Sequence, residues 1–273
     1  MAVIGAGRIG SAIIISLKKC FPDIKVYATG RRETTLENAR RLGAIAYRDN
    51  NYVVKESDLI ILAVKPHHFP AVAQQVDKEH WEGKIVISIM AGVRLATLKK
   101  VLKGAKLYRA MPNINVIVGK SSTAIASHEE DCGHHRIVEE VFKCMGSVYW
   151  VPEEFLDIWT ALAGSAPAFI TEIIDALVLG AVACGMPREL AYKSILDVLE
   201  GTALLLKNTS HHPLEIRDEV VTPAGTTIRG LMTLESEGVK AALMKTIEET
   251  YKRSSEIGRE IDEYIRQILK LND

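Results

Sequence analysis

The chain opens Met1-Ala-Val-Ile-Gly5-Ala-Gly7-Arg8-Ile-Gly10, followed by Ser11 to Lys19. This reads as a short buried strand, a tight glycine turn and a helix start, and no other feature narrows the fold as much. Gly5 permits the turn, Gly7 lets a pyrophosphate approach the backbone, and Gly10 lets helix and strand pack closely. Free N–H groups and the helix dipole then favour an anion at the helix start. Gly5, Ala6, Gly7, Arg8, Ile9 and Gly10 are therefore the first candidates for holding a dinucleotide. Few residues precede Gly5, so the first strand is either unusually short or cut off at its start.

Further strands are expected at Lys25–Ala28, Ala44–Tyr47, Asp58–Val64 and Lys84–Ile89, with a helix over Thr34–Leu42 capped by Thr34 or Thr35. The run Asp58-Leu-Ile-Ile-Leu-Ala-Val64 is apolar without alternation, as when helices cover both faces of a parallel sheet. Alternating strands and helices imply right-handed crossovers. After about residue 153 the strand signals stop. Ala161–Gly185, Pro187–Lys207, Thr227–Ser236 and Val239–Leu271 read as helical, with Pro187 in a first turn and Gly185 at a helix end. The expected architecture is α/β: a Rossmann-type domain over 1–153, then an all-helical domain over 154–273.

The corner after the second strand distinguishes the nucleotide. NAD sites usually place an acid there, for the ribose 2′-OH. This chain has Thr29-Gly30-Arg31-Arg32. Guanidinium forks bind phosphate bidentately, so Gly30, Arg31 and Arg32 point to the 2′-phosphate of NADP(H). Leu62-Ala63-Val64-Lys65-Pro66, Ser88 to Gly92 and Arg109-Ala-Met111-Pro112-Asn113 deliver loops to the same sheet edge. They add Ala63, Val64, Lys65, Pro66, Ala91, Gly92 and Asn113 as candidate cofactor residues, with Asn50 after the third strand.

Composition excludes little but points one way. With 34 Lys and Arg against 34 Asp and Glu, there is no basic excess to suggest nucleic acid. Cys20, Cys132, Cys144 and Cys184 form no C-x-x-C pair, and six of the eight histidines come as adjacent pairs that share no helix or strand face. These histidines are read as surface or loop residues, no metal site is expected, and free thiols suit a reducing cytoplasm. No basic-then-apolar leader is visible. Residues 158–186 are apolar enough to raise the question of a membrane, but Glu172 and Asp175 lie in their middle, which favours a buried helix or helix pair.

Taken together these segments resemble pyrroline-5-carboxylate reductases over essentially the whole chain. Gly5 to Gly10, Ala63-Val-Lys-Pro66, Ser88 to Val93 and Met111-Pro-Asn113 carry the first half. Ala163-Gly-Ser165-Ala-Pro167-Ala-Phe169, His212-Pro213 to Asp218, Val221-Thr-Pro-Ala-Gly-Thr-Thr-Ile228, Leu234-Glu235 and Arg253-Ser254 carry the second, more specifically. Ala166 and Ala224 stand where that family usually has glycine. The resemblance implies NADPH-dependent reduction of a cyclic imine to L-proline. It places substrate at Ser165, Val220, Thr222, Gly225, Thr226 and Thr227, with Thr227 as hydrogen-bond partner of the imine nitrogen. Read from chemistry alone, the loop before Thr227 is either a helix cap or a carboxylate site.

Two other readings compete. Hydroxyacid or deazaflavin-linked reductases share the nucleotide motifs, but many of the former use a lysine in the long helix after the cofactor domain. No Lys lies between Gly146 and Lys193. A non-enzymatic NADP sensor would not need the Thr222–Thr227 loop. Runs such as Ala176-Leu-Val-Leu179 and Ala203-Leu-Leu-Leu206 are apolar on several faces, which predicts at least a dimer built through the helical half.

Overall fold

The computed structural model describes residues 1–128 and 133–271, so Cys132 lies outside the described residues. The first half alternates β1 (Ala2–Ile4), α1 (Arg8–Cys20), β2 (Tyr27–Thr29), α2 (Glu33–Arg41), β3 (Ile45–Tyr47), α3 (Asn50–Lys55) and β4 (Leu59–Leu62). It continues with α4 (Phe69–Gln75), β5 (Ile85–Ser88), α5 (Leu95–Val101), β6 (Lys106–Met111), β7 (Ser121–Ser127), α6 (His134–Lys143) and β8 (Gly146–Trp150). One eight-stranded sheet results, in the order β3-β2-β1-β4-β5-β6-β7-β8. The strand order reverses between β1 and β4, which is the switch point where such sheets bind ligands.

Strands β1, β2 and β4 are short and buried on both faces, whereas Ile45 at the β3 edge is exposed. Two apolar clusters cover the sheet. One joins Ile13, Ile14 and Leu17 of α1 to Val138 and Phe142 of α6; the other joins Phe69, Trp81 and Leu98 to Ile265. The sheet departs from the all-parallel expectation at a single place. Strands β6 and β7 pair antiparallel, Arg109 opposite Ala126. The connection 112–120 carries only a 3-10 turn, too short for the crossover that a parallel pair requires.

The helical half comprises α7 (Phe155–Trp159), α8 (Ala166–Ala183), α9 (Arg188–Thr209), α10 (Pro213–Val220), α11 (Thr226–Ser236) and α12 (Val239–Ile268). The expected single helix over 161–185 is interrupted by a π-helical turn at Thr160–Gly164. Pro187 is the N-cap of α9 with extended backbone, one residue before the helix, where its missing N–H costs nothing. Helix α10 was not expected at all. His212 caps it, accepting from Leu214 N while Glu215 accepts from His212 N. At α2 neither Thr34 nor Thr35 is the cap; Arg32 occupies that position with no side-chain bond, and Thr35 instead packs its methyl against Gly30.

The chain forms two compact units, Met1–Ser165 with Thr250–Asp273, and Ala166–Glu249. The division expected at 153/154 is thus moved, and the C-terminal turns change sides. Leu156 of α7 packs with Met111, Ala124 and Ala126, and Ile265 of α12 joins the sheet's apolar cluster. In the second unit, α8 and α9 pack together, yet Val178 and Ala191 are its buried residues. Ile170, Leu177, Leu190 and Leu204 stand exposed in the isolated chain. The stretch Phe155–Ala183 is long and apolar enough to cross a membrane by length and composition. Helix α8 is therefore not buried within one copy of the chain, which offers too few partners to cover it.

Candidate functional site

Five strand-to-helix connections converge on one cavity of about 790 Å³, within the range of small-molecule sites. From the loop after β1 come Gly5, Ala6, Gly7, Arg8 and Ile9. Gly5 has φ +99°, and a Cβ there would lie 2.8 Å from a Val64 methyl, so the turn excludes a side chain. Gly10 faces the other way, where a Cβ would strike the Gly5 carbonyl. Gly10 therefore shapes the turn without lining the cavity. Gly7 caps α1 with extended backbone and no side-chain bond, and a Cβ on it would enter open space. Helix α1 thus presents its first N–H groups to the cavity, a cradle of the kind that holds a phosphate.

The loop after β2 supplies Gly30, Arg31 and Arg32; that after β4 supplies Ala63, Val64, Lys65 and Pro66; the remaining expected residues are Asn50 and Ala91. Asn50 is fixed by a 2.6 Å bond to Gln75, which also lines the cavity. The lining holds the cations Arg8, Arg31, Arg32, Arg48 and Lys65, and no described lining residue is acidic. The potential inside is therefore positive and suits a ligand carrying several phosphates. The residues present fit a dinucleotide with an additional phosphate.

Among the lining residues that escaped the sequence reading, Arg48, His67 and His68 carry titratable groups. The histidines, expected at the surface, pack edge-on with ring centres 3.9 Å apart. Burial, then the charges of His67 and Arg31, lower the His68 pKa below its usual 6.5. Strand order is the signal that could have found Arg48: in a 3-2-1 sheet the residue after β3 lies beside the corner after β2.

Two expected cofactor residues do other work. Gly92 is buried at φ +79°, and a Cβ there would lie 2.7 Å from the Gly258 Cα. Asn113 is buried too; it accepts from Asn115 N, donates to Ala163 O at 3.0 Å, and its backbone N–H bonds Ser121 Oγ. Neither lines the cavity, because both are consumed by packing. Arg109, from the same expected loop, is likewise buried and donates to Glu153 at 2.8 Å.

Of the expected substrate residues, Ser165 ends the first unit and the others belong to the second. Val220 ends α10, and Thr222 to Gly225 form a turn closed by Gly225 N donating to Thr222 O. Ala224 holds φ +58°, a left-handed conformation costly for a residue with a Cβ. Gly225, not a threonine, is the N-cap of α11. Thr226 and Thr227 are its first two residues, and their hydroxyls meet no hydrogen-bond partner among the described residues. The turn thus leaves uncapped N–H groups and two unengaged hydroxyls together. Among the described residues no three His, Cys, Asp or Glu side chains gather as metal ligands.

Residues 153–257 match a family profile described as pyrroline-5-carboxylate reductase dimerisation, and residues 1–92 one described as NADP oxidoreductase, coenzyme F420-dependent. A pyrroline-5-carboxylate reductase of Methanosarcina acetivorans is 37% identical over 262 residues, covering 94% of this chain and 97% of that protein. The crystal structure of Plasmodium falciparum pyrroline carboxylate reductase with NADP bound is similar at TM-score 0.84 and 25% identity, over 94% of this chain and 97% of that one. The 1-pyrroline-5-carboxylate reductase of Streptococcus pyogenes is similar at TM-score 0.85 and 30% identity, over 93% and 97%.

Proposed function

The chain belongs to the pyrroline-5-carboxylate reductase family, and from that premise we infer that it reduces 1-pyrroline-5-carboxylate to L-proline with NADPH, the last step of proline biosynthesis. The observation that carries the cofactor half is the cavity itself. It joins a glycine turn, an uncapped helix start and five cationic side chains with no acid among its described lining. When bound, NADPH supplies the hydride that the imine carbon accepts. Gly5 to Ile9 would hold the pyrophosphate, Arg31 and Arg32 the 2′-phosphate, and Ala63 to Pro66 with Ala91 would flank the nicotinamide.

The turn before α11 binds the substrate. Uncapped N–H groups at the helix start hold its carboxylate, and Thr222, Thr226 and Thr227 hydroxyls add hydrogen bonds. The imine nitrogen would bring a proton taken up from solvent, so that hydride addition to the carbon leaves the neutral ring amine. The Thr227 hydroxyl bonds that nitrogen and orients the ring. A threonine suffices without acting as a strong acid, because positioning itself removes much of the barrier.

The exposed apolar faces of α8 and α9 are covered by a second copy of the chain. Glu172 and Asp175, the latter 3.7 Å from Arg188, stand against a membrane span there. Cys20, Cys144 and Cys184 are free thiols, in keeping with a cytoplasmic enzyme. The test is NADPH oxidation against a panel of cyclic imines and keto acids, with L-proline identified as product. Turnover of keto acids alone would overturn the reading in favour of a hydroxyacid enzyme; no turnover with tight NADPH binding would favour a sensor.

A further inference from the structure

The corner beside Arg31 and Arg32 contains an acid and a third guanidinium that hold each other. Glu33 opens α2, three residues past Gly30. One of its oxygens accepts from Arg40 Nη1 at 2.8 Å and the other from Arg48 Nη2 at 2.9 Å. Arg48 Nη1 also donates to the Arg31 carbonyl at 3.3 Å, which ties the residue after β3 to the loop after β2. Arg48 lines the cavity and Glu33 does not.

This arrangement bears on nucleotide choice. A free carboxylate at the end of β2 accepts from the ribose 2′-OH and repels a 2′-phosphate. Here both carboxylate oxygens are already bridged. The hydrogen bonds from Arg40 and then Arg48 lower the Glu33 pKa, which favours the ionised carboxylate that the bridge requires. Arg48 uses two of its five N–H donors and keeps the rest for an incoming anion.

We propose that Arg48 and Glu33 form a specificity lock, in which Arg48 completes the 2′-phosphate subsite with Arg31 and Arg32 while holding the Glu33 carboxylate away from the ribose. The lock rests on reading the cavity as an NADP site. Arg48 is the specificity-determining residue; Glu33 is a positioning residue that acts through it.

Titration calorimetry of the intact protein with 2′,5′-ADP and 5′-AMP tests this without turnover. Wild type binds 2′,5′-ADP more tightly. Arg48→Ala weakens 2′,5′-ADP by about tenfold or more, the loss of a charge-assisted bond, and leaves 5′-AMP unchanged. Once released, Glu33 repels the phosphate, so Glu33→Gln strengthens 2′,5′-ADP binding more in the Arg48→Ala background than in wild type. Equal weakening of both probes by Arg48→Ala overturns the lock, since that is a structural effect. So does an identical Glu33→Gln effect in both backgrounds. A wild type that does not distinguish the two probes removes the NADP reading itself, a different failure.

Discussion

Gly92 and Gly258 touch backbone to backbone: a Cβ added to Gly92 would lie 2.7 Å from the Gly258 Cα. The contact joins the loop after β5 to the C-terminal part of α12, and Gly92 holds it at φ +79°. Gly92→Ala must both force a left-handed alanine and push the helix away. The expected loss is about 2–4 kcal/mol, from strain plus overpacking. Chemical denaturation measures it, and a loss below about 1 kcal/mol would mean that the two segments part easily.

Replacing Arg31 and Arg32 together by Ala is expected to raise the KM for NADPH and leave NADH nearly unchanged. The loss corresponds to about 1.5–3 kcal/mol for a charge-assisted bond. Steady-state kinetics with both cofactors decides it; an equal effect on the two sinks the assignment of this corner to the 2′-phosphate.

Thr227→Ala is expected to lower kcat/KM for the cyclic imine by about five- to a hundredfold, the range for one hydrogen bond to a group that gains charge. NADPH affinity, read by fluorescence titration, should stay the same. Gly225 already caps α11, so full retention of activity could not be ascribed to a cap and would remove Thr227 from the mechanism.

The lowered pKa of His68 gives a signed pH dependence. Burial and the neighbouring His67 and Arg31 favour its neutral form. A bound 2′-phosphate favours the charged form and raises that pKa again, so a proton is taken up on binding. NADPH affinity should therefore strengthen as pH falls from the bound-state pKa of His68 towards its lowered free-state pKa, and weaken as pH rises through that window. The phosphate itself titrates nearby, so His68→Gln is the reference. If the variant and wild type give the same slope of log Kd against pH, His68 takes no part.

The active unit is expected to be at least a dimer through the helical half. Burying the exposed faces of α8 and α9 yields about 25 cal/mol per Å² before association costs. Light scattering at low micromolar concentration checks this: a fully active species of 30.1 kDa would end the idea.

The nucleotide half was legible because its signals are local. A glycine turn between strand and helix needs only ten residues of context, and the guanidinium pair after β2 stands beside it in sequence. Arg48, His67 and His68 were missed because their place depends on strand order, which brings the ends of β3 and β4 to the corner after β2. Gly92 and Asn113 misled for the opposite reason: small and polar residues at a strand end read as lining, yet tertiary packing had already taken them. Helix α10 was hidden by His212-Pro213, which reads as loop until the cap is seen. The exposure of α8 was legible as well: runs such as Ala176-Leu-Val-Leu179 are apolar on several faces, more than one small helical unit can cover.

Strand β1 lies inside the sheet, not at its edge. β1 pairs with β2 on one side and with β4 on the other, Val3 against Ala28 and against Ile61. During synthesis β1 is therefore flanked on one side only, by β2, until Leu62 has been made. Until then Ile4 and Val3 keep an open ladder edge that any other nascent strand could fill. Parallel pairing cannot repair this early, because each partner arrives through a crossover. The nucleotide cradle follows β1 directly, so it takes shape only when β4 closes the sheet beside it. Stalled chains ending before Leu59 should then fail to retain an immobilised 2′,5′-ADP, and chains extended through β5 should begin to; retention by the shorter chains would show that the cradle assembles without its second neighbour.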